Sequence, residues 1–146
     1  MKNFQLTVLL IGTTVLLAGC FLNRPEAVQH LVKDFSLSWQ NDPELQALYV
    51  NRDHNEHGGL KLVDKKVFAV GYDEDFIIAL QQPQTSTFDT VYHIVDIREY
   101  SIRFWSPSEH LYSFQTKQEF QKKKLELGVS DLEVKAIVAD GEVSIF

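Results

Sequence analysis

An uncharged apolar run near the start of the chain decides which residues are available to fold. Lys2 supplies a positive charge, residues 6–17 carry none, and the only cysteine, Cys20, follows shortly after. This order is typical of an export signal peptide. A membrane-spanning helix needs about 20 predominantly apolar residues, so the run is too short for a permanent span. We therefore predict that residues 1–19 are removed and take no part in the fold.

Small residues precede the cysteine. The sequence Leu17-Ala18-Gly19-Cys20 resembles the lipobox, the signal cleavage motif of bacterial lipoproteins. The resemblance implies cleavage before Cys20, diacylglycerol on its thiol and, as a rule, an acyl chain on the new amine. Two or three acyl chains hold a protein on a membrane, whereas one chain binds only marginally. The motif thus predicts a bacterial cell-envelope protein whose partner through Cys20 is membrane lipid, at the outer membrane, the periplasmic face or the cell surface.

The composition of the remaining chain indicates a single folded domain. Hydrophobic residues make up 45% of the 146 residues, with 10 Phe, 5 Tyr and 2 Trp, which is too apolar for a disordered tail. Without a second cysteine, stability must come from a packed core. The length fits one domain of about 100–150 residues. We predict residues 34–146 as that domain and residues 20–33 as the lipidated cysteine with its tether, part of which is helical in an alternative interpretation.

Apolar residues separated by turn signals predict strands. Residues 35–39 alternate, and the apolar pattern resumes over residues 45–50 after a break at residues 41–43. Two strands joined by a turn are the simpler interpretation. In the alternative, Pro43 and Glu44 open one helical turn.

Two hairpins are predicted to form the core of a sheet. The first joins residues 67–72 to 76–81 through a three-residue acidic loop, and the second joins residues 91–97 to 100–105 through a two-residue loop. These loop lengths place the following residues opposite each other on apolar faces: Tyr72 and Phe76, Val70 and Ile78, Phe68 and Leu80, Ile97 and Tyr100, Val95 and Ile102, and His93 and Phe104.

Residues 116–127 carry both start and stop signals of a helix. Thr116 and Glu119 have the spacing of a capping box, and Gly128 fits a left-handed helix end. The three lysines of residues 122–124 lie toward the negative end of the helix dipole, and we interpret them as a solvated face.

A last hairpin completes the predicted fold. Residues 132–138 and 143–146 flank Asp140 and Gly141, a favoured two-residue turn. Hairpins connect the strands throughout, and no strand-helix-strand alternation occurs. The predicted class is therefore α+β, with an antiparallel sheet of about six to eight strands and the helix packed on it.

The loop around His54 and His57 is the first candidate for a metal site, because two imidazoles lie close to Glu56. Its spacing is one residue shorter than that of metalloprotease helices, and the flanking Asn, Asp and Gly favour a solvated loop. The acidic residues 73–75 offer too few ligands for calcium and are interpreted as a turn. We predict no bound metal and no cofactor.

His93 is the candidate for acid-base chemistry. Asp96, three residues further along the strand, lies on the opposite face and is not its partner. We interpret His93 as a hydrogen-bonded histidine of the core or of a sheet edge, since a lone imidazole needs a partner to act as an acid or base. Ser108, Glu109 and His110 are neighbours in a loop, where such residues rarely converge on one substrate atom. No catalytic residue is predicted.

Three segments of the chain share their order and spacing with a known family: residues 68–83, residues 92–96, and residues 116–120 with 126–129. They resemble small bacterial lipoproteins known only as a domain of unknown function. The resemblance spans about residues 67–129 and implies a compact, lipid-anchored domain without an established active site. Residues 100–115 form a longer segment than the linker expected in this family. We expect this insertion to carry a surface that is specific to the species.

The sequence favours a binding role over a catalytic one. The chain has 14 Lys and Arg against 20 Asp and Glu, a net charge of −6, which disfavours nucleic acid as a partner. We expect a non-catalytic binding or interaction module with a protein partner, such as an immunity or envelope-assembly protein. The alternative is a small envelope enzyme, or a metal-dependent protein, that uses His93 or the His54/His57 loop.

We expect Cys20→Ser to abolish lipid labelling and to leave the precursor uncleaved, because a serine hydroxyl does not replace the thiol that the lipobox presents. Radiolabelled palmitate and membrane fractionation of bacterial cells measure both effects. A serine variant that is cleaved and retained on the membrane would show that the motif is misinterpreted.

Overall fold

The computed structural model describes residues 27–39, 42–51, 59–83, 89–137 and 143–145. Three sequence predictions lie outside these residues. They are the signal peptide with the lipobox, the His54/His57 loop, and the turn at Asp140 and Gly141. Within the described residues the chain forms a four-stranded sheet and a six-stranded sheet. Every strand pair in them is antiparallel.

The four-stranded sheet follows chain order and comprises β1 (Ala27–His30), β2 (Phe35–Trp39), β3 (Ala47–Val50) and β4 (Leu60–Val63). The predicted strands on either side of residues 41–43 are confirmed as β2 and β3. The alternative helical turn is also present, as a 3₁₀ turn over Pro43–Leu45 that the Asp42 side chain caps by accepting from the Glu44 N–H at 2.9 Å. The helix considered for the tether is wrong over β1, which pairs with β2.

The six-stranded sheet has the order β10-β9-β5-β6-β7-β8. Its strands are β5 (Val67–Tyr72), β6 (Phe76–Gln81), β7 (Val91–Asp96), β8 (Leu111–Phe114), β9 (Lys135–Ile137) and β10 (Val143–Ile145). In the described part of the chain, two α-helices accompany it, α1 (Pro107–His110) and α2 (Lys117–Leu127). The α+β class is confirmed at this level, but the single sheet of six to eight strands is wrong because the strands divide between two sheets. The C-terminal strand pair exists, with Val143 opposite Ile137.

The large sheet is buried on both faces. On one face, Ile77, Val95 and their neighbours pack against Phe35 and Leu48 of the small sheet. On the other face, a second apolar cluster is formed by Phe76, Ile78, Ile94, Phe120 and Val129. The fold is therefore three layers deep, with the small sheet on one side of the large sheet and α2 on the other.

The first hairpin forms, but its predicted register is wrong by one residue. The Asp73 carboxylate accepts from the N–H groups of Asp75 at 2.8 Å and Phe76 at 2.7 Å, which draws Phe76 into the turn. The slip moves side chains to the opposite faces of the strand, and Tyr72 is 43% exposed. The observed pairs are Tyr72 with Ile77, Gly71 with Ile78, Val70 with Ala79, and Ala69 with Leu80. A bulge lies at Phe68.

The second predicted hairpin does not form. Residues 100–105 make turns instead of a strand, and β7 pairs with β8, so that His93 lies opposite Ser113 and not Phe104. Trp105 closes the end of the core: its indole N–H donates to the Asp96 carbonyl at 3.1 Å, and its ring meets Phe35 edge-on at 5.5 Å. The predicted pairs Ile97–Tyr100, Val95–Ile102 and His93–Phe104 are therefore wrong, and Phe104 is 86% exposed.

Helix α2 confirms its predicted ends. The Thr116 hydroxyl oxygen accepts from the Glu119 N–H at 3.3 Å, which is the first hydrogen bond of a capping box, and the same hydroxyl donates to the Glu119 carboxylate at 2.8 Å. Gly128 ends the helix at φ 73°. The interpretation of residues 122–124 as a solvated face is wrong for Lys124, which is buried and donates to the carbonyls of Ser130 and Leu132 at 3.1 and 3.3 Å. Burial lowers its pKa.

We expect Gly71→Ala to lower the free energy of unfolding by about 1–3 kcal/mol, because an added Cβ would overlap the backbone carbonyl of Glu133 and force that segment away from β5. Gly128→Ala is the matched control, since its Cβ meets nothing within 4 Å and only the left-handed backbone penalises it. Urea denaturation measures both. If Gly71→Ala matches the wild type, residues 133–134 do not lie against β5 as described.

Candidate functional site

A row of three polar side chains crosses the large sheet at His93. The ring Nδ1 lies 2.8 Å from the hydroxyl of Ser113 on β8, and Nε2 lies 3.0 Å from Oε1 of Gln81 on β6. Gln81 also donates from its amide nitrogen to the carbonyls of Asp64 and Lys65, both at 3.1 Å. The row thus joins three neighbouring strands to the loop between β4 and β5.

The hydrogen-bond network assigns the tautomer of His93. The amide nitrogen of Gln81 serves two carbonyls, so its oxygen faces the ring and accepts from Nε2–H. Nδ1 is then an acceptor, and the Ser113 hydroxyl donates to it. Burial lowers the pKa of His93 from 6.5 to about 4, so the ring is neutral near pH 7. The prediction of a hydrogen-bonded core histidine is confirmed.

The other candidates for acid-base chemistry do not join this row. Asp96 binds Arg98 at 2.6 Å, and the hydrogen bonds from that guanidinium lower the pKa of the carboxyl group. The His110 ring stacks on Trp105 with centroids 5.6 Å apart. Among the described residues, no group of three or more His, Cys, Asp and Glu side chains is placed to hold a metal ion. The row around His93 therefore fastens strands together.

A groove of about 420 Å³ opens where the two sheets meet. The 3₁₀ turn, the start of β5, the residue after β6 and the end of β9 form its walls. Its lining residues are Glu44, Leu45, Gln46, Lys66, Val67, Phe68, Gln82 and Ile137. The volume lies within the usual range for small-molecule and peptide sites, about 300–1,000 Å³.

Gln46 is the feature that marks this groove. Its side chain is only 4% exposed, yet within the described parts of the chain no donor reaches Oε1. The backbone of Gln46 is fixed, because its carbonyl accepts from the Val67 N–H at 3.0 Å and so bridges the two sheets. Most buried polar groups in native proteins have a hydrogen-bond partner, so an exception calls for an explanation.

The rim of the groove combines opposite charges with apolar surface. Glu44 and Lys66 both line it. Lys66 adopts a left-handed backbone at φ 70°, and its carbonyl accepts from the Gln82 N–H at 3.0 Å. Phe68, at the bulge of β5, is 42% exposed. The arrangement offers a cation, an anion and an aromatic ring around one opening.

The sequence contained no signal for Gln46. A polar residue between Leu45 and Ala47 in a short apolar run is ordinarily a solvent-facing strand position. Burial of Gln46 depends on contact between two sheets whose strands are separated along the chain.

Over the residues that the structure describes, no helix has both the length and the apolar character needed to cross a bilayer.

We expect the folded state to lose about 3 kcal/mol between pH 7 and pH 4 through His93. The unfolded chain protonates this residue near pH 6.5, whereas the folded state resists protonation down to about pH 4. Stability from this group is therefore complete above pH 6.5 and falls as the pH drops. Asp64 and Asp96, whose pKa values are lowered from 3.8, lose their contributions only at lower pH.

Denaturation of the wild type and of His93→Gln between pH 7 and pH 4 measures this loss as the difference between their free energies of unfolding. The contributions of the other histidines are the same in both proteins and cancel in that difference. The variant keeps a neutral hydrogen-bonding side chain and should lack the steep loss between pH 6.5 and 4. Parallel stability curves for the two proteins would contradict the depressed pKa.

Comparison with known families gives a match over most of the chain. Residues 32–138 match a family model described as "Protein of unknown function (DUF3997)". Neither the curated proteins nor the solved structures include a match to the chain. The matched segment contains β2 to β9 and all the residues that line the groove. The expected resemblance to a domain of unknown function is confirmed at that level, whereas the lipobox remains a prediction. Because the matched segment covers more than half of the chain, the chain belongs to the DUF3997 family.

Proposed function

We propose that this chain is a lipid-anchored lipoprotein of the bacterial cell envelope whose folded domain is a non-catalytic binding module, in the manner of an immunity or envelope-assembly protein. The motif Leu17-Ala18-Gly19-Cys20 supports the anchor. The single observation that carries the binding role is the preformed groove of about 420 Å³ between the two sheets, which is lined by apolar surface together with Glu44 and Lys66. A preformed concave site with a few placed polar groups is the usual form of a binding site.

The chemistry at His93 favours this role over catalysis. The side chain on Nε2 is the amide of Gln81, which has no charge to stabilise an imidazolium. In serine hydrolases a buried carboxylate does so, and the base takes a proton from the serine. With a pKa near 4, His93 is a weak base for the Ser113 hydroxyl at neutral pH.

The length of the tether limits where a partner is found. Six residues lie between Cys20 and Ala27 at the start of β1, so seven residue-to-residue steps join them. An extended chain of that length spans at most about 25 Å. A domain anchored through Cys20 stays close to its membrane, so its partner is a component of the same envelope surface or a molecule arriving there.

Photo-cross-linking in the native envelope tests the binding role. We expect a benzophenone amino acid at Phe68, on the rim of the groove, to give a discrete covalent adduct in living cells, because the ring lines the opening and is 42% exposed. The control position is Leu125 on α2, which is 70% exposed and lies on the other side of the large sheet.

Gel electrophoresis and mass spectrometry of the irradiated membranes identify the adducts. An adduct from Leu125 with none from Phe68 would place the binding surface on the helix. Absence of adducts from both positions would contradict a binding role in the envelope.

A further inference from the structure

We propose that the outer edge of β8 accepts an extended segment of a partner protein as an added strand, and that apolar and acidic side chains of this segment enter a cleft between β8 and α2. This surface is separate from the groove between the two sheets. It depends neither on that groove nor on the lipid anchor, and so it goes beyond the proposed function.

The hydrogen bonds of β7 fix the direction in which the backbone of β8 points. The Ile97 N–H donates to the Asp75 carbonyl, next to β6, at 2.8 Å. Backbone groups alternate in direction along a strand, so those of Val95 and His93, two and four residues earlier, also point toward β6. The residues opposite them on β8 therefore belong to the pairs without hydrogen bonds and direct their N–H and carbonyl groups away from β7.

Leu111 and Ser113 are these two residues of β8. The Leu111 N–H agrees with this direction, because it donates to the Pro107 carbonyl of α1. The distance of 2.8 Å between the side chains of His93 and Ser113 agrees as well, since side chains lie closer together in pairs without hydrogen bonds. The outer edge of β8 thus presents the N–H and carbonyl of Ser113 and the carbonyl of Leu111, and no backbone group within the described residues bonds to them.

β8 has no charged residue, proline or bulge, the features with which many edge strands prevent further pairing. Its sequence is Leu-Tyr-Ser-Phe, and its pairing with β7 shows no register shift. The edge strand β4 of the small sheet, in contrast, carries Lys61 and pairs with β3 through a register shift. The alternating N–H and carbonyl groups of an extended peptide match an edge such as that of β8.

A cleft of about 220 Å³ lies between β8 and α2. Its lining residues are Phe114, Glu119, Lys122, Lys123 and Glu126. In the described chain no residue of β7 lines it, so it opens on the side of β8 where a further strand would lie. Tyr112 and Phe114 pack in the apolar cluster beneath α2, so every second side chain of an added strand would point into the cleft.

The charges of the cleft favour a segment that carries an acidic side chain. Glu119 accepts from the Thr116 hydroxyl, and Glu126 pairs with Lys123 at 3.4 Å. Across the described residues, no carboxylate forms an ion pair with Lys122. An acidic residue between two apolar ones on the same face of the added strand would complement Lys122 and cover the aromatic side chains of β8.

A second copy of the chain suits the edge less well than a partner segment does. Pairing of β8 with β8 of another copy about a twofold axis would place the two α2 helices side by side. Lys122 and Lys123 would then approach the same lysines of the other copy, and like charges repel.

Nuclear magnetic resonance of the isotope-labelled full-length chain in detergent micelles tests the added strand. The probe is the peptide acetyl-Val-Thr-Glu-Thr-Val-amide, which places both valines and the glutamate on one face. The control peptide has the same side chains, but every amide nitrogen is methylated, so it has no N–H to donate. Both are titrated to about 10 mM, because ligands this small make few contacts. We expect the probe to give saturable shifts at Ser113 and Phe114 and slower hydrogen exchange of the Ser113 amide, and the control peptide to give neither.

Variants separate the backbone of β8 from its side chains. Ser113→Pro removes the outward N–H, leaves the hydrogen bonds to β7 in place and should weaken binding of the probe about tenfold or more. Ser113→Ala keeps the N–H and loses only the hydroxyl that contacts His93, so it should bind as the wild type does. Lys122→Glu should weaken binding several-fold, whereas Lys117→Glu, an exposed position of α2 outside the cleft, should not.

The added strand is overturned if the probe gives no saturable shift, if the methylated peptide binds equally well, or if Ser113→Pro or Lys122→Glu binds as tightly as the wild type. The comparison of the two peptides uses the wild type alone, so it stands even if a variant fails to fold. Sedimentation without peptide tests the second copy, and a dimer that Ser113→Pro abolishes would reject the partner segment in favour of self-association. Adducts from Phe68 alongside a negative titration would retain the proposed function and reject the added strand.

Discussion

Burial of both faces of the large sheet is the constraint on which the rest of the molecule depends. Ile77 and Ala79 of β6 face the small sheet, while Phe76 and Ile78 face the layer that contains α2. A strand in this position cannot alternate between apolar and polar residues, because neither face meets water. The small sheet and the helix are therefore both required, each to cover one face, and without a second cysteine for a disulfide this packing must hold the domain together.

Features fixed by local interactions were predictable from the sequence, and features fixed by long-range packing were not. The ends of α2 depend on Thr116 and Gly128 alone and were found correctly. The first hairpin was also recognised, but its register was not. Two hydrogen bonds to the Asp73 carboxylate set that register, and the length of the loop does not predict them. Residues 100–105 and β8 are both rich in apolar residues, so the sequence pattern did not distinguish which segment pairs with β7, and Trp105 packs against Phe35 instead.

Three buried polar side chains show the same difference between what local sequence predicts and what long-range packing decides. The hydrogen-bonded state of His93 followed from its place in a strand, although its partners, Gln81 and Ser113, did not. Lys124 was predicted to be solvated, yet it serves two carbonyls of the segment that follows the helix. Gln46 was not recognised at all, because its burial arises where two sheets meet. Sequence patterns place a residue on a face, but they do not state what covers that face.

Gln46 differs from the other two buried polar residues in what its side chain does for the fold. The side chains of His93 and Lys124 form hydrogen bonds that join parts of the fold, so a structural role explains why these polar residues are buried. The Gln46 side-chain oxygen holds nothing in the described residues, although its backbone carbonyl links the two sheets. An apolar side chain of similar size would preserve that backbone bond and avoid the cost of a buried unpaired acceptor. The amide oxygen at this position therefore costs the folded state free energy that an apolar side chain of similar size would not cost.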